Sequence, residues 1–192
     1  MPSFNERLSM LEDDLKAKPI RISAYHDLPF CVFHYDPKLE FQTRHEMNLL
    51  ATRLGNTGKS VITISVAEML WEAIDANDNI DSLADEEQQF GFERAQETVN
   101  KYLTDEAFSP LPELLSGRLS KLDPKKNLAF LYRAAALAPS IYQISQLLGQ
   151  MQGKTLVPTV LFYPGSVEGT TSLRFMDMSD RVPMGSYRVK IY

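Results

Sequence analysis

Pro29-Phe30-Cys31-Val32-Phe33-His34-Tyr35, followed at once by Asp36-Pro37, is the stretch on which the fold turns. A short, aromatic, almost wholly apolar run suits a strand covered on both faces, as in a parallel sheet; a strand with one wet face would alternate. Asp36 can cap a following helix while Pro37 takes its first position, where no N–H is needed. Phe41, Met47, Leu50, Ala51 and Leu54 give that helix an apolar stripe, and Gly55 ends it. Residues 60–66 (SVITISV) read as a second strand, and 67–74 start another helix. Strand, helix, strand, helix with short connections is the βαβ pattern of an α/β fold.

Upstream, Ser3 and Glu6 form a capping box ahead of Phe4, Leu8, Leu11 and Leu15, and Pro19 ends this amphipathic helix. Its apolar face docks on the body of the protein or on a partner, so a homodimer is allowed but not required. Downstream, residues 75–89 hold Asp75, Asp78, Asp81, Asp85, Glu86 and Glu87 with no cation until Arg94. This reads as an exposed, acidic helical insertion extending over about 75–122. Phe92, Ala95, Val99, Tyr102 and Leu103 give it a packing face, and Trp71 on the preceding helix reads as core.

Residues 127–137 (NLAFLYRAAAL) read as the third core strand, between Asp123-Pro124 and Ala138-Pro139-Ser140. Ser140 caps a helix carrying Ile141, Ile144, Leu147, Leu148 and Met151. Residues 155–163 (TLVPTVLFY) read as the fourth strand, stopping at Tyr163-Pro164-Gly165, and two short strands near 173–176 and 187–192 form a terminal hairpin. The expected architecture is a single α/β domain over 1–192. About four core strands form a mostly parallel sheet flanked by helices, with the acidic insertion in the middle and a C-terminal β-hairpin.

The chain has 192 residues, 44% hydrophobic and 23% charged, with a net charge of -5. That balance argues against sequence-independent DNA binding, which rests on clustered Lys and Arg. Cys31 is the only cysteine, so neither an internal disulfide nor a multi-thiolate metal site is available. No run is long and apolar enough to cross a membrane and no leader pattern opens the chain, which points to the cytoplasm.

Few motifs carry chemistry. Gly55-Asn56-Thr57-Gly58-Lys59-Ser60 resembles a phosphate loop, but Arg53 stands where the first glycine belongs and the motif leaves a helix to enter a strand. His26, His34 and His45 lack metal-ligand spacing, although His34 and His45 could meet across the first βα turn. No serine lies in a nucleophile elbow. Ligands of open α/β sheets bind outside the carboxyl ends of the strands. There Asp36, Glu40, Arg44, Arg133 and Tyr163 would gather. Arg133 interrupts an apolar strand and, if buried, needs a carboxylate or carbonyl partner. It is either a structural pair or a ligand or partner contact. Arg174, Arg181, Arg188 and Lys190 make the chain end locally basic, as a solvated hairpin or as a partner surface.

An ordered set of segments is more specific: Phe4-Asn5-Glu6-Arg7-Leu8, Phe33-His34-Tyr35-Asp36-Pro37 with Glu40, Phe130-Leu131-Tyr132-Arg133-Ala134, Leu161-Phe162-Tyr163-Pro164-Gly165, Leu173-Arg174-Phe175-Met176 and Tyr187-Arg188-Val189-Lys190-Ile191-Tyr192. In these the chain resembles the BrxB family of BREX bacterial anti-phage systems. Asp177 stands where the family pattern leads one to expect glycine. The resemblance implies a non-catalytic adaptor without cofactor. Such a protein would bind the phosphatase-like PglZ, help join it to the ATPase or methyltransferase, and support host DNA methylation and phage restriction. It supplies no catalytic residues. The alternatives from the residues alone are a degenerate nucleotide- or ligand-sensing domain using the crevice around Asp36 and Arg133, and a DNA-contacting subunit using the basic chain end.

Overall fold

A computed structural model describes residues 2–23, 28–137, 141–169, 172–178 and 189–192. Helix α1 (Phe4–Lys16) opens with the expected capping box: Ser3 Oγ accepts the Glu6 N–H and the Glu6 carboxylate accepts the Ser3 N–H at 2.6 Å. Strand β1 (Phe30–Tyr35) leads into a 3₁₀ turn (Pro37–Leu39) capped by Asp36, then helix α2 (Glu40–Gly55). Strand β2 (Ser60–Ser65) follows, entered through Gly58 at φ 84. Four helices come next: α3 (Val66–Asn77), α4 (Ile80–Phe90), α5 (Phe92–Thr104) and α6 (Leu111–Leu119). Strand β3 (Asn127–Tyr132), helix α7 (Ile144–Gln150) and strands β4 (Thr159–Glu168), β5 (Ser172–Phe175) and β6 (Lys190–Ile191) complete the order.

The sheet runs β2-β3-β4-β1-β6, and every pair along it is parallel. The four core strands are the four read from the sequence. Strand alternation sorts their side chains onto two faces. Phe30, Val32, Ala129, Leu131, Leu161 and Tyr163 enter one core with α3, α6 and α7. Cys31, Phe33, Tyr35, Leu128, Phe130, Val160 and Phe162 enter the other with α1 and α2. Both faces being covered explains why β1, β3 and β4 read as continuous apolar runs. The long α3–α6 segment is the crossover between the neighbouring parallel strands β2 and β3, so the acidic insertion is an enlarged crossover.

Several expectations are corrected. The third strand ends at Tyr132, because Arg133 takes a left-handed conformation (φ 59) and Ala134–Ala136 coil into a 3₁₀ turn. The fourth strand does not stop at Tyr163-Pro164-Gly165. It continues to Glu168 and forms an antiparallel hairpin with β5, with the Pro164 carbonyl accepting the Met176 N–H at 2.9 Å. The segments near 173–176 and 187–192 therefore do not pair with each other among the described residues: β6 joins β1 instead. Helix α7 starts at Ile144 behind Gln143, and Ser140 lies outside the described residues. The apolar face of α1 docks on the body, with Leu11 and Leu15 fully buried. Phe41 is 83% exposed and Trp71 is 51% exposed, so neither is core.

Candidate functional site

The carboxyl ends of β1, β2 and β3, with Pro164 in the middle of β4, border a cleft of about 390 Å³ lined by Pro37, Glu40, Ala67, Arg133, Ala135, Ala136, Pro164 and Met176. The turn capped by Asp36 places Glu40 here. The Glu40 carboxylate accepts a short hydrogen bond from the Tyr35 hydroxyl, whose proton is held more tightly than usual by burial and by that carboxylate. Arg133 is exposed at the cleft and has no ion-pair partner among the described residues, so the buried pair considered from sequence is not what holds it.

Left-handed backbone costs a non-glycine residue about 1–2 kcal/mol. Among the described residues Arg133 (φ 59), Met176 (φ 52) and Asp177 (φ 53) adopt it. Two of these line the cleft and the third follows Met176. The conformation at Asp177 is the one glycine would take without cost, which accounts for the expectation of glycine there. Gly165 (φ 145) is a true requirement: a Cβ on it would stand 1.9 Å from the Arg174 carbonyl oxygen across the hairpin.

The other nominated residues scatter. Asp36 accepts the Lys38 N–H at 2.9 Å and serves the turn. Arg44 lies over the Tyr132 ring, 5.7 Å from its centroid. Tyr163 is buried with its ring against Phe175. Arg174 is tied down within the hairpin, its Nε to Glu168 at 2.6 Å and its Nη1 to the Met178 carbonyl at 3.0 Å. Arg188, Arg181 and His26 lie outside the described residues. His34 Nδ1 lies 3.1 Å from the Gly165 carbonyl, and burial with nearby Arg7 lowers its proton affinity. Among the described residues no three His, Cys, Asp or Glu side chains gather as metal ligands. No helix there is long and apolar enough to cross a membrane.

A second concavity was not anticipated. Between α3, α4 and α5 lies an apolar groove of about 260 Å³, with Leu70, Ile74, Leu83, Ala95 and Val99 among its lining residues. Trp71, Ile80 and Phe92 also line it while remaining 51%, 51% and 62% exposed. Helical spacing marks such residues as apolar but cannot say whether a further layer covers them.

A family model described as "BREX protein BrxB" matches residues 62–190. The chain belongs to the BrxB family. BrxB proteins are components of BREX phage-defence systems. The match begins within β2 and runs into β6, taking in the helical crossover, its groove, β3, β4 and the hairpin. Helix α1, β1 and α2, where two of the resembling segments lie, fall outside it. No curated protein and no solved structure matches the chain.

Proposed function

We propose that this BrxB protein is a cytoplasmic, non-catalytic adaptor of a BREX complex. It binds a PglZ-type partner, helps connect it to the ATPase or methyltransferase, and so supports host DNA methylation and phage restriction. The observation that carries this reading, beyond family membership, is the apolar groove of the crossover with Trp71, Ile80 and Phe92 exposed along it. Converging exposed apolar residues mark interaction surfaces, whereas single ones do not. Co-expression with the PglZ-type protein of the same system, read by size-exclusion chromatography with light scattering, is expected to give a complex of defined stoichiometry. Two separate peaks at micromolar concentration would overturn the adaptor.

The strand-end cleft favours a second reading, a ligand-sensing site with Arg133 as the anion contact, because strained backbone collects at functional sites. Inorganic phosphate and nucleotides should then raise the melting temperature of the native protein and not of Arg133→Ala. Equal melting curves with and without these anions would end this reading.

A further inference from the structure

The groove between α3, α4 and α5 carries more than a generic contact, because the chain around it is predominantly acidic. From residue 60 to residue 93 the chain holds nine acidic residues and no Lys or Arg. Glu72 pairs with Arg118 and Glu86 with Arg94. Asp75, Asp81, Asp85 and Glu87 have no ion-pair partner among the described residues. Glu87 lines the groove itself, Asp75 lies one turn beyond Trp71, and Asp81 adjoins Ile80.

Shape and charge together select the occupant. A trough walled by helices with a row of apolar side chains matches the mode in which an amphipathic helix lays its apolar face into a groove. A second copy of this chain would set the same acidic surface against itself in a two-fold contact, which is repulsive. A nucleic acid meets the same repulsion from the backbone phosphates.

The geometry points to a basic amphipathic helix of a partner protein as the occupant of this groove. Its apolar residues, spaced i, i+3/i+4 and i+7, seat against Trp71, Ile80 and Phe92, and its flanking Lys or Arg face Asp75, Asp81 and Glu87. The inference deepens the adaptor reading and rests on it for the existence of a protein partner.

Trp71 is the sole tryptophan and stands on the groove, so its emission reports occupancy. The probe is a synthetic helical peptide of about four turns, long enough to hold a helix once bound, with leucines on one face and lysines flanking them. A matched peptide carries glutamates in place of the lysines. Added to the full chain, the Lys-flanked peptide is expected to shift Trp71 emission to the blue, saturably. Its affinity should fall about tenfold on raising salt, as screening removes the rim attraction. The Glu-flanked peptide should bind at least about tenfold more weakly. Ile80→Ser with Phe92→Ser, both at exposed positions, should keep the fold and lose the shift. Equal binding of the two peptides, no binding of either, or a shift that survives in the double variant overturns the inference. So does a shift driven by protein concentration alone as a dimer forms. Lys-peptide binding without a PglZ-type complex would uphold the groove and sink the adaptor. A PglZ-type complex that forms equally well with the double variant would uphold the adaptor and sink the groove.

Discussion

The two faces of the sheet are finished differently. On the α1/α2 face Phe33 sits between Phe4 (centroids 5.3 Å apart, edge to face) and Phe162 (5.6 Å), and Phe162 meets Phe130 at 5.4 Å. Arg7 lies over Phe33 and its Nη1 donates to the carbonyls of His34 at 2.6 Å and Tyr192 at 2.8 Å. Asp14 accepts from Tyr192 Oη at 2.7 Å, from Arg21 Nε at 3.1 Å and from Lys190 Nζ, fastening β6 to α1. On the opposite face α3, α6 and α7 cover the sheet, and α4 and α5 add a further layer around a small cluster of Ile74, Leu83 and Tyr102. Among the described residues no further element covers that outer layer, and its Phe90 and Phe92 meet solvent. Similar apolar residues thus build a closed core on one side and an open groove on the other.

Truncating the same residue type on each face should have opposite outcomes. Phe33→Ala removes a fully buried ring from the aromatic cluster and should cost about 3–5 kcal/mol, read as a lower urea midpoint. A cost below about 1 kcal/mol would mean that the α1/α2 face is not the closed core described.

Asp14→Asn should come next, at about 2–3 kcal/mol near neutral pH, because it weakens charged hydrogen bonds at a largely buried group. Burial alone pushes the Asp14 carboxyl up, but the bonds from Lys190 and Tyr192, with the charges of Lys190 and Arg21, outweigh it and leave it below the usual range. Its stabilisation is therefore present above the unfolded value of about 3.9 and is lost as pH falls through the lower folded-state value. Urea titrations at neutral and at acid pH should show the gap between native and variant closing in acid. A gap independent of pH would remove Asp14 as the electrostatic anchor.

Phe92→Ser should have the smallest effect, within about 0.5 kcal/mol, because the ring is already in solvent. A loss as large as that of Phe33→Ala would show that the groove is packed shut in solution.

Legibility followed the same division. The capping box at Ser3 and Glu6, the Asp36-Pro37 turn and the four core strands could be read because caps and continuous apolar runs are local signals. Arg133 was misplaced because 127–132 and 133–137 differ in backbone conformation rather than in polarity, and a left-handed arginine leaves no mark in composition. The hairpin was given the wrong partner because strand pairing over a distance is decided by register. Gly165 shows this: only the approach of the Arg174 carbonyl reveals why glycine stands there. At the strand ends Glu40 and Arg133 line one cleft and Asp36 caps the turn as read, but sequence could not tell that Arg174 holds a hairpin. Trp71 reads as core and Phe92 as part of a packing face because their spacing is that of a packed helix face.

By itself the sequence determined the α/β class, the parallel core strands, the acidity of the crossover and the likeness to BrxB proteins, since each rests on residue type and order along the chain. Tertiary structure alone decided which apolar residues are covered, that β6 joins β1 rather than β5, and that α3, α4 and α5 enclose a groove. The reason is physical: periodicity fixes the face on which a side chain stands, but burial depends on whether another element, distant in the chain, comes to lie over it.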